Sequence, residues 1–362
     1  MINRKKFLQI LGTFTGATFF PDISYSKNYP ANLIENSISS ALSDYKVFDL
    51  HCHPAAFFRK GTESYMGDIA FKQVIEHMNI NQVEGVFISI VADLNVLKVT
   101  EKGVVPYRKF EKNEAWNGYQ HQLNIIKELL KFSEATTTIS LQNLNSFNRV
   151  GVFISCEGAD FLEGDIANVD KAYKEGVRSI QLVHYAPNDV GDLQTAEPLN
   201  KGLSAFGKEI VKRMNELGMV VDVAHASFKT VQDVADITSS PIILSHSILK
   251  KDTNEPINAR AITEEHAKVV AETGGIIGVW PSGLSANMEE FVESTLQLIE
   301  VVGINHVGLG TDMDANYKPV IKDYNDVQKW IVGLEAKGLR KKDIEKIAGG
   351  NAKRVLKKVL KQ

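Results

Sequence analysis

Only two cysteines, Cys52 and Cys156, occur in 362 residues. At most one disulfide is available, and it would need the two Cα atoms within about 7 Å. No excess of positive charge is present either: 41 Lys and Arg stand against 44 Asp and Glu, for a net charge of −3. The basic residues are scattered rather than patched, which excludes the electrostatic footprint of a nucleic-acid-binding protein. Beyond the first two dozen residues no stretch stays apolar over the roughly 18 residues that a membrane-spanning helix needs. A mature chain would therefore carry no transmembrane helix. What the sequence has in quantity is apolar side chains, 44% of the total. That is enough to bury a large core in one barrel-type domain, so a second domain is not required.

The N-terminus reads as an address. Asn3-Arg4-Lys5-Lys6-Phe7-Leu8-Gln9 leads into a moderately apolar run to Phe20, then Pro21 and the small-x-small pattern Ser24-Tyr25-Ser26. This order resembles a twin-arginine export signal with Lys5 in the second arginine position. The expectation is an export signal over residues 1–26, a linker over 27–44 and a catalytic domain over 45–362. The protein would then be exported, periplasmic or at the cell surface, or anchored by its N-terminus if the signal is not cleaved. The lack of cysteine near the start of the mature chain speaks against lipid attachment.

From residue 45 onward, strand-like apolar runs alternate with amphipathic helical ones. Strands are expected near Val47–Leu50, Gly85–Val91, Gly151–Ser155, Ser179–Val183, Met219–Val223, Ile242–Leu244, Gly275–Val279 and Val307–Leu309. Helical spacing lies between them, as in Leu123-x-x-Ile126-x-x-Leu129-Leu130, and several helices close on a glycine such as Gly176, Gly218 or Gly303. Eight strand–helix units predict an α/β fold, the (β/α)₈ TIM barrel, with an open doubly wound sheet as the alternative. Polar residues separate the two. Six of the eight strands end in His, Glu or Asp, and only a closed barrel brings six carboxyl ends to one mouth. Residues 92–113 and 187–199 read as loops over that mouth, and 343–360 as two short helices around Gly349-Gly350-Asn351 that close the barrel.

The nine histidines sort by position. His77, His121 and His266 fall in helical patterns and His306 starts the last strand, at the end away from the chemistry. His51, His53, His184, His225 and His246 stand at strand carboxyl ends. His51 and His53, spaced i, i+2, share one face of a strand and can grip one metal ion. Cys52 and Cys156 each directly precede a residue of this set, so alternation turns both thiols outward, to be buried as free cysteines.

Three or four ligands suit one catalytic zinc. His51, His53, Glu157, His225 and His246 make five, with Glu157 the natural bridge, so two divalent ions, zinc foremost, are expected. Such a pair can hold a hydroxide between them and polarise a carbonyl, which is the chemistry of amide or ester hydrolysis. Asp312 would pass the proton from water to the leaving nitrogen, with Gly308 and Gly310 leaving room beside it. His184 would stabilise the oxyanion. Arg260 could clamp a substrate carboxylate or stand as an ordinary surface arginine.

Nine pieces then fall in one order: DLHCHP at 49–54, SCEG at 155–158, LVHYAP at 182–187, DVAHAS at 222–227, PIILSHS at 241–247, NARAITEE at 258–265, GGIIGV at 274–279, HVGLGTDMDA at 306–315 and GGNAKRVL at 349–356. In this ordered set the chain resembles the membrane (renal) dipeptidases, peptidase family M19, among the metal-dependent amidohydrolase-like barrels. The resemblance implies that His51 and position 53 bind one zinc, that Glu157 bridges, and that His225 and His246 bind the second. It gives His184 and Arg260 substrate roles and Asp312 a place beside the catalytic water. It implies dipeptide substrates, with a D-residue tolerated at the C-terminal side, and leaves a homodimer open. The chain departs from the family at one ligand, with His51-Cys52-His53 where His-x-Asp is usual, which makes the site one unit more positive. Two rivals stand beside the dipeptidase reading: an amidohydrolase acting on another amide, an N-acyl amino acid or a lactone, and a non-catalytic exported binding protein of the same fold.

Overall fold

Eight of the apolar runs become the parallel strands of a closed barrel in the computed structural model, which describes residues 45–361 apart from 102, 134, 138–139, 141 and 143–148. The expected export signal and linker, 1–44, lie outside the described residues. In chain order the strands are β1 (Val47–Cys52), β2 (Val83–Val91), β3 (Leu97–Thr100), β4 (Gly103–Pro106), β5 (Thr136–Thr137), β6 (Gly151–Glu157), β7 (Val177–Gln181), β8 (Val220–Asp222), β9 (Ile243–Ser247), β10 (Ile276–Val279) and β11 (Val307–Leu309). The ring runs β2-β1-β11-β10-β9-β8-β7-β6 and closes by pairing β6 with β2. Short β5 pairs with the start of β6. Strands β3 and β4 form an antiparallel hairpin outside the ring, within the segment expected to be irregular loop.

A helix follows every barrel strand, as the right-handed crossover between parallel neighbours requires. Five of these helices begin on a side-chain cap: Ser204, Ser227, Thr263, Asn287 and Asp323 each accept from a backbone N–H two or three residues on. Each such cap stabilises its helix by about 1 kcal/mol, and together they fix where the chain leaves the barrel mouth. No described helix is long and apolar enough to cross a membrane.

Alternation along β6 shows how sequence becomes architecture. Val152, Ile154 and Cys156 face the helices, whereas Phe153 joins Phe48, Leu50, Phe87, Val220, Ile243 and Ile276 inside the barrel. The rings of Phe48, Phe87 and Phe153 lie 5.4 to 6.0 Å apart. This inner layer fills the amino-terminal end, and the helix Asn351–Val359 seals it with Val355, Leu356 and Val359. Closure by the C-terminal segment is as expected, with a π-helical turn, Lys346–Gly350, joining its two helices. A Cβ on Gly349 would stand 2.7 Å from the Lys46 carbonyl oxygen, so only glycine permits this approach. With one end plugged by apolar residues, every polar strand end is left at the other.

Candidate metal centre and active site

Strict alternation does not put the histidines inside the barrel. Phe48 and Leu50 of β1 point inward, so His51 would point outward if the period held. Between Asp49 and Cys52 the strand advances three residues against two of β2, from Val86 to Ile88. This bulge re-phases the strand and turns His51 in with His53, leaving Cys52 among the outer apolar residues. Strand β9 does the same: Leu244 to Ser247 runs against only Ile277 to Val279 of β10, and His246 turns inward. His225 and Asp312 lie beyond their strands in left-handed conformation, at φ 65° and 51°. Asp312 is therefore aimed by a turn rather than carried in phase on β11. Gly308 and Gly310 make room for something else: added Cβ atoms would strike Ile276 and the Ser245 carbonyl oxygen, inside the barrel wall.

Two buried pairs of imidazoles face each other across Glu157. His51 Nε2 and His53 Nε2 are 3.0 Å apart, and His225 Nε2 and His246 Nε2 are 3.1 Å apart. Glu157 Oε1 lies 3.5 Å from His51, 3.2 Å from His225 and 3.7 Å from His246, while Oε2 lies 3.3 Å from His53. Asp312 Oδ1 is 3.5 Å from His53 and 3.9 Å from His51. Nitrogen lone pairs this close repel unless a proton or a cation lies between them. Ligands on a tetrahedral zinc with bonds of roughly 2.0–2.1 Å stand about 3.3 Å apart, so these spacings suit a shared divalent ion. Three overlapping ligand groups arise: His51, His53 and Asp312; His51, Glu157 and His246; Glu157, His184 and His225. The donor set thus fits metal, with Glu157 common to two groups.

Burial and the carboxylates among the rings set the protonation of the cluster. The Ser89 carbonyl accepts from His53 Nδ1 at 2.9 Å, which leaves Nε2 as the lone pair. Burial holds His225 and His246 well below the ordinary histidine range, helped by Arg260 and His184 for the first and by His51 and His225 for the second. Burial opposes charge on His51, but the Glu157 and Asp312 carboxylates outweigh it and lift the ring to about 9. Burial would also raise Glu157, yet the rings of His184, His51 and His225 hold it well below the usual carboxylate range. Asp312 is pushed up to about 6, first by burial and then by the neighbouring Glu157 charge, against the pull of His53 and His51.

The remaining expected residues converge on the same point. His184 Nε2 is 3.4 Å from Glu157. Arg260 ends a short 3₁₀ turn, is buried, donates to Gln194 Oε1 at 2.5 Å and lies over Trp280. The Tyr185 phenol beside it is pushed up to about 12 by burial, with Arg260 acting in the opposite sense. His77, His121 and His266 lie in helices, as expected, and His306 Nδ1 donates to the Gly275 carbonyl at the amino-terminal end of β11. Cys52 and Cys156 are buried free thiols.

Two strand ends that the sequence reading left blank complete the ring. Asp93, two residues past β2, accepts from His184 Nδ1 at 2.6 Å and from the backbone N–H groups of Tyr185 and Ala186. Trp280, directly past β10, donates from Nε1 to Asp312 Oδ2 at 3.2 Å. The rule that marked the other six ends, a His, Glu or Asp where an apolar run stops, would have found Asp93 but not Trp280. Behind Asp93, Asp160 is pushed up to about 8 by burial and then by the Asp93 charge.

Comparison with known proteins agrees with this geometry. The family model described as Membrane dipeptidase (Peptidase family M19) matches residues 35–362. An uncharacterized dipeptidase of Schizosaccharomyces pombe is 31% identical over 225 residues, covering 58% of this chain and 53% of its own; the chain thus spans about half the length of that relative. The dipeptidase verJ of Clonostachys rogersoniana is 26% identical over 350 residues, covering 90% and 88%. Among solved structures, a metallopeptidase from Rhodobacter sphaeroides liganded with a phosphinate mimic of the dipeptide L-Ala-D-Ala shares the fold at a TM-score of 0.73 and 17% identity, over 87% of this chain and 99% of that one. An amidohydrolase from Pseudomonas aeruginosa does so at 0.70 and 19%, over 88% and 98%. Since the match runs from ahead of the first barrel strand to the end of the chain, this protein belongs to the membrane dipeptidase family, peptidase family M19.

Proposed function

We propose that the chain is a metal-dependent dipeptidase that hydrolyses the amide bond of a small substrate with a free carboxylate on its leaving half. The observation that carries this reading is the pair of imidazole couples facing one buried carboxylate at the barrel mouth. His51, His53, Glu157, His225 and His246 would hold two divalent ions, zinc being the one their nitrogen and oxygen donors suit. Ions so held supply an activated water and a polarised scissile carbonyl.

The chain's own residues do the rest. Arg260, buried beside Tyr185 and Gln194, binds and orients the substrate carboxylate. His184, kept protonated at Nδ1 by Asp93, turns Nε2 toward the reacting carbonyl and stabilises the charge that develops there. Asp312, oriented by Trp280, takes a proton from the attacking water and returns it to the departing nitrogen. The ligand of the Rhodobacter sphaeroides structure supports including dipeptides with a C-terminal D-residue. The test is turnover of an L-Xaa-D-Xaa panel by protein of known metal content. Metal-loaded protein inert toward dipeptides and acyl amino acids alike would remove the hydrolase reading.

A further inference from the structure

The cavity over the metal centre has a volume of about 840 Å³, in the upper part of the roughly 300–1,000 Å³ range of small-molecule sites. Two small residues would leave much of it empty. One flank is the hairpin β3–β4, which brings Leu97, Val99, Val104 and Val105 to the cavity beside Leu94 and Phe58. The four hairpin side chains are only half-buried. A two-stranded ribbon outside the barrel gains little by carrying them unless something apolar covers them.

Topology says which part of a substrate meets that wall. In the ring, β2 and β9 are four strands apart whichever way one counts, so they stand on opposite sides. The hairpin follows β2 and Arg260 follows β9. A molecule held by its carboxylate at Arg260, with its amide at the Glu157 cluster, therefore extends its acyl half toward the hairpin.

Charge says what that half must lack. Four described carboxylates line the cavity: Glu157, Asp312, Glu101 and Glu255. Glu157 is surrounded by imidazoles, and Asp312 is engaged by His51, His53 and Trp280. Glu101 and Glu255 are exposed at the rim. At position 53 an imidazole is bonded to Ser89 and faces the centre. Among the described residues no buried carboxylate of the cavity wall is left to receive a substrate ammonium group, while Arg260, Arg59 and Lys98 all line the same space. An ammonium brought here would lose water and gain like-charged neighbours.

We propose that the preferred substrates are amino acids N-acylated by a bulky, uncharged, apolar group, and that free-amine dipeptides are the poorer members of the class. This rests on the amide-hydrolase reading above. Hydrolysis breaks the C–N bond; the water oxygen joins the acyl carbon, its proton goes to the nitrogen, and a carboxylate and a free amino acid leave.

The experiment compares 4-methylpentanoyl-D-alanine with L-leucyl-D-alanine, which differ only by the α-ammonium group, and with acetyl-D-alanine. The amine-free long substrate should have the highest kcat/KM, by about tenfold or more over each of the others. In the double variant Val99→Ser, Val104→Ser, the ratio of the 4-methylpentanoyl to the acetyl substrate should fall about tenfold. His53→Asp should shift preference toward the free amine. L-leucyl-D-alanine turned over as well as its amine-free twin, or a ratio unmoved by the serines, overturns the proposal. Calorimetry with the matching phosphinate analogues separates it from the reading beneath it. If nothing is cleaved but the amine-free analogue binds about tenfold tighter, only the hydrolase reading falls; if the amine-bearing analogue binds as well or better, the substrate class falls.

Discussion

Replacing Asp93 by asparagine removes one negative charge at almost constant volume, and its effect follows from three hydrogen bonds. Asp93 is fully buried; Oδ1 accepts from His184 Nδ1 at 2.6 Å, and Oδ2 accepts from Tyr185 N at 3.0 Å and Ala186 N at 2.8 Å. An asparagine must keep its one carbonyl oxygen on the two backbone donors, so its NH₂ faces His184. His184 then accepts at Nδ1 and loses the carboxylate that, with Glu157, raises its pKa against the cost of burial. A neutral ring can still donate from Nε2, but a charge-assisted bond is roughly twice as strong as a neutral one. Deleting an oxyanion donor outright costs about 10²–10³ in kcat, so D93N should lose a part of that, about 10- to 100-fold, or roughly 1.4–2.8 kcal/mol of transition-state stabilisation. The loss belongs in kcat, with KM little changed. The fall of kcat on the alkaline side should also move to lower pH, because the protonated ring is now held less firmly. Steady-state kinetics across pH, with metal content and melting temperature measured on the same sample, reads all of this. A D93N enzyme with wild-type kcat and an unmoved alkaline limb would refute the coupling of Asp93 to His184.

Asp312→Asn should keep its metal yet lose turnover by about 10²–10⁴; metal analysis beside kcat decides, and near-normal turnover would remove Asp312 from proton transfer. Arg260→Ala should raise KM chiefly for substrates with a free carboxylate, so an equal effect on a carboxyl-amidated analogue would contradict the clamp. His266, buried in the helix Glu264–Glu272 against Phe228, is held down to about 4 by burial, with Arg260 and Lys250 adding to it. Its neutral form belongs to the folded state, so between the unfolded value of 6.5 and about 4 the unfolded chain binds the extra proton. Stability from this group is complete above that window and lost as pH falls through it, about 2 kcal/mol by roughly pH 5. Denaturant titrations of wild type and His266→Phe should show a smaller acid loss in the variant; equal slopes would contradict the buried neutral ring.

The fold was legible because parallel barrel strands are covered on both faces and read as apolar runs, from Val47 in β1 to Leu309 in β11. Their carboxyl ends were legible for the same reason: a His, Glu or Asp stands out where such a run stops. Less visible was how the side chains are aimed. Counting by twos placed His51 and His53 on one face correctly but would have set both against Leu50; the bulges in β1 and β9 resolve this, and a bulge leaves no residue signature here. The left-handed turns at His225 and Asp312 were equally hidden, since neither is glycine. The hairpin β3–β4 was read as loop because its strands have four residues each and carry lysine and threonine among the valines. Asp93 was passed over because its function lies in a partner 91 positions away.

The central claim is that Glu157 joins two metal sites at the barrel mouth, and the most direct measurement is metal stoichiometry of the purified, zinc-supplied protein beside its Glu157→Ala variant. The account predicts close to two ions per chain in the wild type, the number a two-metal hydrolase needs, and loss of most of that metal in a variant that still folds. Wild-type protein that takes up no more than a trace of metal, or a Glu157→Ala variant that holds as much as its parent, would contradict it.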